Sequence, residues 1–179
     1  MRDSASSGNV VVRQAGSEDI ATIIQLAQRI WRAHYPGIIS AEQIEFMLST
    51  MYAPKRIAAE IADLTATYLI AEQEQTAIGF AAVGPAHGPS TAKLHKLYVL
   101  PDHQGNGVGR ALMTAAFAAA RKMGKTLLIL AVNKGNQKAI AAYTKWGFTR
   151  RESVTVDIGG GFVMDDYILE IAVPIAKEG

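Results

Sequence analysis

Three alternating glycines, Gly105, Gly107 and Gly109, stand between an apolar segment and an amphipathic one. Residues 94–99 have the composition of a strand, and residues 108–123 repeat apolar side chains at helical spacing. Glycine adopts positive φ easily and lets other groups approach the backbone closely. A Gly-rich turn at the start of a helix also offers free backbone N–H groups and the positive end of the helix dipole. The pattern therefore predicts a strand, a phosphate-binding turn and a helix.

Two well-known phosphate-binding turns do not match this spacing. The order G-x-G-x-G misses the dinucleotide-binding fingerprint G-x-G-x-x-G by one position. A P-loop is also excluded, because Arg110 follows Gly109 where that loop has Lys and then Ser or Thr. Taken alone, the three glycines are also consistent with a structural turn that binds no ligand.

Composition excludes several kinds of site and partner. The 179-residue chain has no cysteine, which excludes disulfides, thiolate metal sites and a catalytic thiol. Its net charge of +2 is too small for a nucleic-acid-binding surface. Without a signal-peptide core or an unbroken apolar run of about 18 residues, we expect no membrane partner and a cytoplasmic location. We predict no metal site, because carboxylates at ligand spacing do not accompany the histidines, His34, His87, His95 and His103.

The remaining patterns predict one domain at residues 10–175, behind a flexible tail at residues 1–9. Its predicted elements, in chain order, are a strand at 10–14, a hairpin of two helices capped by Ser17 and Ser40, three antiparallel strands within 65–99, a helix at 108–123, a strand at 127–132, a helix from Asn136 to Gly147, and two strands around the turn 159–161. The strand-helix-strand unit at 94–132 should be parallel. The predicted class is α/β (α+β), with a mixed, mostly antiparallel sheet and helices on both faces.

Two segments of the chain resemble the sequence signatures of a known enzyme family. Residues 104–109, Gln-Gly-Asn-Gly-Val-Gly, resemble the Q/R-x-x-G-x-G/A signature of the GNAT (Gcn5-related N-acetyltransferase) superfamily. A second signature of that family, N-x-x-A-x-x-x-Y-x-x-x-G-F, is similar to the residues Asn136, Ala139, Tyr143, Gly147 and Phe148. Segments 35–44, 93–99 and 161–167 look similar to the bacterial PaiA-like polyamine N-acetyltransferase branch. The resemblance implies a twisted sheet of about seven strands with a wedge between its two central parallel strands.

The resemblance implies that acetyl-CoA is the co-substrate and that its pyrophosphate lies on the amides of the Gly-rich turn. The residues implied at this turn are Gln104, Gly105, Asn106, Gly107, Val108, Gly109 and Arg110. The pantetheine arm should pair like an extra strand with the backbone of Leu97, Tyr98 and Val99.

Three further residues are implied in coenzyme binding. They are Asn136, Tyr143 and Lys145. On their local patterns alone, Asn136 is also explained as a helix cap and Lys145 as a solvated charge.

The resemblance also implies direct transfer to a neutral amine, with backbone N–H groups near Val99 stabilising the developing oxyanion. Tyr143 matches the family tyrosine that protonates the departing thiolate, and a core tyrosine is the alternative. The glutamate that several family members place in the strand entering the second signature is missing, because Ala131 holds its position. His95 is the candidate base, acting through water, although a histidine on a half-buried strand is often structural.

Acceptor specificity should come from the helix hairpin and the last strands. The substrate-binding candidates are Trp31, Tyr35, Asp165 and Asp166, and the two carboxylates suit a cationic acceptor such as spermidine or spermine. A peptide or protein amine is the alternative acceptor. A catalytically silent CoA-binding module is the alternative function. A homodimer is a further expectation, with the apolar strand at 167–173 as the candidate interface.

Overall fold

The sheet begins as the antiparallel meander that the sequence predicts and then turns parallel at its centre. The computed structural model describes residues 8–176, so residues 1–7 of the predicted tail lie outside the described residues. The strands are β1 Val10–Gln14, β2 Thr67–Gln73, β3 Thr76–Pro85, β4 Thr91–Val99, β5 Leu127–Asn133, β6 Thr149–Gly159 and β7 Phe162–Ala172. The seven strands are ordered β1-β2-β3-β4-β5-β7-β6, and only β4 and β5 pair in parallel.

Five α-helices accompany the sheet within the described residues. They are α1 Ile20–His34, α2 Ala41–Met51, α3 Pro54–Ala62, α4 Val108–Lys122 and α5 Gln137–Lys145. Gly79 faces Leu112 of α4, whereas the ring of the next residue, Phe80, packs on Tyr98, which contacts Trp31 of α1. Since successive strand residues point to opposite faces, α1 and α4 cover opposite faces of the sheet. The predicted α/β (α+β) fold is confirmed.

The start of the first helix differs from the prediction. Ser17 lies in a short 3-10 turn, and α1 begins only at Ile20. The carboxylate of Asp19 stabilises this entry, because it accepts hydrogen bonds from the Gly16 amide at 2.9 Å and from Arg13. The charged Asp19 side chain, rather than the Ser17 hydroxyl, therefore fixes where the chain enters α1.

The second helix begins as predicted, and a third helix follows that the sequence analysis missed. The Ser40 hydroxyl accepts a hydrogen bond from the Gln43 amide at 3.1 Å, which confirms the N-cap of α2. The Gln43 side chain does not close a capping box but donates to the Val163 carbonyl of β7. The third helix, α3, starts at Pro54 and buries Ile57 completely.

A wedge opens between β4 and β5, as the family resemblance implies. Their parallel pairing runs from Thr91 with Leu127 to Leu94 with Leu130 and ends there. Beyond that point β4 stays paired with β3, and β5 stays paired with β7. The edge of β4 at residues 95–99 therefore turns away from β5.

No helix within residues 8–176 is both long enough and apolar enough to cross a lipid bilayer.

Candidate active site

A large cavity lies at the wedge between β4 and β5. Its volume of about 1020 Å³ is at the upper end for small-molecule sites. One half of the wall comes from the Gly-rich turn and α5, and the other half from α1, α2, α3 and the ends of β4 to β7. The cavity thus joins the predicted coenzyme side to the predicted acceptor side.

The backbone of the Gly-rich turn explains two of its three glycines. Gly105 and Gly107 have φ of 82° and 81°, and nothing lies within 4 Å of the position where a Cβ would be. The left-handed conformation, rather than a lack of space, therefore requires glycine there. Gly109 has an ordinary φ, and its Cβ position lies 3.4 Å from the Trp146 ring. A small residue at 109 therefore lets α5 pack against the start of α4.

The turn has the features that a pyrophosphate site needs. In the described part of the chain, no protein group accepts a hydrogen bond from the backbone amides of residues 105–110. Their N–H groups sit at the positive end of α4, which begins at Val108. The basic residues that line the cavity nearby are Arg110, Lys138 and Lys145. Donors and positive charge thus meet where the sequence predicts a coenzyme phosphate.

Lys138 is a feature of this side that the sequence analysis missed. Its ammonium donates a hydrogen bond to the Gln104 side chain, whose amide in turn donates to the Val99 carbonyl at 3.1 Å. The Gln104 side chain therefore ties the turn to both the end of β4 and the start of α5. Lys138 lies two residues after Asn136, the predicted helix cap. Its closeness in sequence to this predicted coenzyme-binding residue was the signal that could have identified it.

The residues predicted to contact the pantetheine arm lie on β4, where its edge is free of β5. Tyr98 and Val99 pair with Phe80 and Gly79 on one edge only, so the opposite edge, including Leu97, faces the wedge. The Tyr98 hydroxyl lies 3.3 Å from the hydroxyl of Tyr35, the residue directly after α1. Burial, followed by the neighbouring tyrosines, raises the pKa of Tyr98 well above its ordinary value. This phenol therefore stays protonated.

Two of the residues predicted to bind the coenzyme, Tyr143 of α5 and its N-cap Asn136, lie at the cavity. Tyr143 lines the cavity, and its ring packs on Trp146 and Phe148 with centroid distances of 5.8 and 5.5 Å. Burial, with a smaller effect of Tyr35, raises the pKa of Tyr143, so its hydroxyl stays protonated at neutral pH. Asn136 is buried, and its side-chain oxygen accepts a hydrogen bond from the Ala139 amide at 3.2 Å. Asn136 is therefore the N-cap of α5, the structural role that its local sequence also allows.

His34, in the helix hairpin, also contacts Asn136, the N-cap of α5. Nε2 of His34 lies 3.1 Å from the Asn136 side-chain oxygen. His34, at the end of α1, thereby joins the hairpin to the start of α5 beside the cavity. Asn136 therefore connects the two sides of the cavity.

On the acceptor side the structure separates the two aspartates. Asp166 lines the cavity and is 4% exposed, and its Oδ1 atom is buried without a hydrogen-bond partner in the described residues. Asp165 points to the other face of β7, where it pairs with Lys134 and accepts from Thr155. Strand alternation explains the difference, because adjacent residues cannot face the same side. Of the two, only Asp166 can contact an acceptor in the cavity.

Trp31 and Tyr35 form an aromatic wall of the cavity. Their ring centroids lie 4.5 Å apart, and both residues line the acceptor side. Trp31 is 1% exposed, so Tyr35 presents more surface to the cavity than Trp31 does. Burial raises the pKa of Tyr35, the hydrogen bond with Tyr98 opposes this, and the Asp166 carboxylate raises it further. Tyr35 therefore lies within the electrostatic reach of Asp166.

A basic cluster that the sequence analysis did not anticipate surrounds His95. The β3–β4 register shifts between the partners of Ala82 and Val83, so His95 is an extra residue in β4. His95, Lys93 and Lys96 all line the cavity. His95 is an exposed residue, and partial desolvation by the cavity wall, followed by the charges of Lys93 and Lys96, lowers its pKa below the ordinary value. Its imidazole is therefore neutral at physiological pH and binds a proton weakly.

Lys96 is the most buried cation of this cluster. Its ammonium lies 3.8 Å from Glu60 and 5.4 Å from the ring centroids of both Tyr52 and Tyr68. Glu60 also accepts hydrogen bonds from the Tyr68 hydroxyl at 2.6 Å and from Arg56 at 3.0 Å. The Glu60 carboxylate is thus already engaged on three sides, and it compensates the charge of Lys96.

The comparison with known families identifies the family to which this fold belongs. The model of the acetyltransferase (GNAT) family matches residues 23–148. The chain belongs to this family. As a GNAT enzyme it is an acetyl-CoA-dependent N-acetyltransferase, and the free amides, glycines and basic residues of its Gly-rich turn fit this co-substrate.

Relatives support the same assignment. The spermidine N(1)-acetyltransferase of Thermoplasma acidophilum is 27% identical over 161 residues, which is 88% of this chain and 96% of the relative. The crystal structure of the PaiA N-acetyltransferase from Thermoplasma acidophilum in complex with coenzyme A has a TM-score of 0.78 at 27% identity and covers 92% of this chain and 99% of that one. The L-amino acid N-acyltransferase MnaT of Escherichia coli is 33% identical over 104 residues, 55% of this chain and 60% of the relative.

Proposed function

We propose that this GNAT enzyme acetylates a primary amine of a small aliphatic polyamine such as spermidine or spermine. The observation that carries the proposal is Asp166, a carboxylate 4% exposed that lines the cavity and has a buried, unpartnered oxygen among the described residues. A buried carboxylate is costly unless a cation or a donor satisfies it, and an acceptor ammonium supplies both.

The surroundings of Asp166 suit an aliphatic chain. The apolar residues that line this part of the cavity are Met47, Val154, Met164 and Ile168. Methylene groups between two amines would pack on these side chains while one ammonium contacts the carboxylate. The likeness to a spermidine N(1)-acetyltransferase over nearly the whole chain supports the same acceptor class.

The residues of the coenzyme side have defined roles in this proposal. Bound acetyl-CoA supplies an activated acetyl group and a thiolate leaving group. The amides of residues 105–110, with Arg110, Lys138 and Lys145, would hold its phosphates, and the free edge of β4 would orient its pantetheine arm. Tyr143 would donate a proton to the departing sulfur.

A peptide or amino-acid amine is a second candidate acceptor, and one observation favours it. Lys93 lines the same cavity as Asp166, and its charge acts on both Asp166 and His95. An acceptor with both an ammonium and a carboxylate could therefore contact Asp166 and Lys93 together. A homodimer and a cytoplasmic location remain predictions from the sequence.

A thiol-release assay with acetyl-CoA separates these acceptors. The panel contains spermidine, spermine, L-amino acids and short peptides, and the variants are Asp166→Asn, Asp165→Asn and Tyr143→Phe. We expect polyamine turnover, a KM for spermidine raised about 10-fold or more by Asp166→Asn and little changed by Asp165→Asn, and a fall in kcat of about 10-fold or more for Tyr143→Phe. Turnover of peptides or amino acids without polyamines would replace the polyamine proposal by the second candidate.

A further inference from the structure

We propose that Asp166 is the catalytic proton acceptor, which takes a proton from the ammonium of the bound amine before that nitrogen attacks. The inference rests on the proposed function, because it needs a protonated primary amine in this cavity. It goes further by giving Asp166 a chemical role in the reaction, in addition to charge attraction.

The position of Asp166 in the sheet supports this role. Asp166 lies opposite Asn133 of β5 and Val154 of β6, at the centre of the three strands that form the far side of the wedge. Its side chain therefore faces the place where the sheet opens toward the free edge of β4. The unpartnered Oδ1 atom can accept a proton without first breaking a hydrogen bond to another described residue.

The charges around Asp166 favour proton uptake. Burial is the main effect that raises the pKa of Asp166, and the neighbouring Asp165 raises it further. Lys93 of β4 and Lys134, which follows β5, act in the opposite direction but do not cancel the shift. The phenol of Tyr35, directly after α1, interacts electrostatically with the carboxylate and stays protonated. A carboxylate with a raised pKa is a better base at neutral pH than an ordinary aspartate.

The other titratable groups of the cavity are less suited to this task. Desolvation, followed by the charges of Lys93 and Lys96, lowers the pKa of His95, so this imidazole binds a proton weakly. Glu60 is the other carboxylate among the described residues that line the cavity, and Tyr68, Arg56 and Lys96 already engage it. Protonation of Asp166, in contrast, removes a buried charge.

The proton balance of the transfer is complete with Asp166 and Tyr143. The ammonium gives one proton to Asp166, and the neutral nitrogen then forms a bond to the acetyl carbon while the carbon–sulfur bond breaks. Tyr143 gives its proton to the sulfur and regains one from the nitrogen, directly or through water. Asp166 then releases its proton to solvent, so one ammonium yields one amide, one thiol and one free proton.

The test compares pH profiles of kcat and KM for spermidine in the wild type and in Asp166→Asn. Asp157→Asn, an exposed aspartate on β6, serves as the matched control. We expect kcat at neutral pH to fall about 100-fold in Asp166→Asn. Its log kcat should then rise with unit slope toward the pKa of the amine, near about 10, whereas the wild type should level off once Asp166 is ionised. The control variant, Asp157→Asn, should have the same pH profiles of kcat and KM as the wild type.

A second measurement is made on the wild-type protein and does not depend on turnover. A 13C NMR titration of the Asp166 carboxyl in the wild-type protein, assigned by its loss in a substituted protein, should give a pKa above the ordinary value of about 3.9. An ordinary pKa, or an Asp166→Asn variant with a raised KM and an unchanged kcat, would overturn the proton-acceptor role. If the wild type acetylates only peptide or amino-acid amines, the polyamine proposal fails, and the same pH comparison with that amine decides the role of Asp166.

Discussion

The hydroxyl of Tyr35 lies 3.3 Å from the hydroxyl of Tyr98 and connects the C-terminal end of α1 to the part of β4 that is not paired with β5. This distance is consistent with a hydrogen bond between two phenols, and the rings also pack through Trp31, whose centroid lies 4.5 Å from Tyr35 and 5.8 Å from Tyr98. The acceptor wall and the strand expected to hold the coenzyme are thus fixed to each other. Movement of α1 would therefore change both.

A double-mutant cycle measures this connection. Tyr35→Phe and Tyr98→Phe should each lower the free energy of unfolding by about 1 kcal/mol, because each leaves one hydroxyl without its partner. The double variant should be less destabilised than the sum of the two, by about 0.5–1 kcal/mol in urea denaturation. Strict additivity of the single effects would mean that the two hydroxyls do not interact.

The Gly-rich turn should be sensitive to alanine through its backbone. Gly105→Ala and Gly107→Ala place a Cβ on a left-handed residue, which costs about 1–2 kcal/mol and favours a relaxed turn with misdirected amides. We expect the Kd for acetyl-CoA to rise about 10-fold, measured by calorimetry. Gly124→Ala is the matched control, since Gly124 also has positive φ but ends α4 outside the cavity. An equal loss of affinity in the control would contradict a local role of the turn.

Lys138 and Lys145 should contribute to coenzyme affinity through charge. Either substitution by alanine removes a cation from the phosphate side of the cavity and should raise the Kd for acetyl-CoA about 3-fold to 10-fold at low salt. The difference from the wild type should shrink as ionic strength rises. Lys122→Ala, an exposed lysine of α4 outside the cavity wall, changes the net charge equally and should leave the Kd unchanged. A salt-independent loss would indicate a structural effect instead.

The Arg13–Asp19 pair predicts a pH-dependent stability. Two hydrogen bonds of 2.8 Å from Arg13, with a further one from Gly16, outweigh burial and lower the pKa of Asp19 below its ordinary 3.8. Because the folded-state pKa lies below the unfolded one, this stabilisation is complete above about pH 4 and is lost as pH falls through the folded pKa.

Asp19→Asn tests this pair by urea denaturation across pH. At pH 7 it should destabilise the protein by about 1.5 kcal/mol, the low end for charged hydrogen bonds because Arg13 is 41% exposed. The difference in the free energy of unfolding between Asp19→Asn and the wild type should disappear below pH 4. Glu45→Gln, from an exposed ion pair with Arg32, should have a smaller effect. If this difference in the free energy of unfolding stays constant with pH, the charge of the Asp19 carboxylate is not its cause.

The missed helix α3 shows which local signals were sufficient and which were not. Pro54 stands at its first turn, a position that favours helix starts, and Ile57 and Ile61 are spaced four residues apart. Nine residues with only these signals give a weak periodic pattern. Packing of Ile57 into the core, with no exposed surface, stabilises this short helix.

The residues on the acceptor side of the cavity were harder to predict from the sequence than those on the coenzyme side, because contacts between distant segments place them. The extra residue His95 in β4 brings Lys93, His95 and Lys96 into one cavity wall, although simple alternation would divide them between two faces. A β-bulge depends on the register with β3, which is a long-range property. The basic cluster and its compensation by Glu60 therefore had no local signature.

By itself the sequence determined the Gly-rich turn, the cap of α2, the order of most strands and helices, and the family. These features follow from backbone preferences and side-chain periods that act over a few neighbouring residues. The tertiary structure decided that Asp166 rather than Asp165 faces the cavity, that Lys138 joins the phosphate side, and that Tyr35 meets Tyr98. Strand register and packing between distant segments set those contacts, and neither acts within a short stretch of chain.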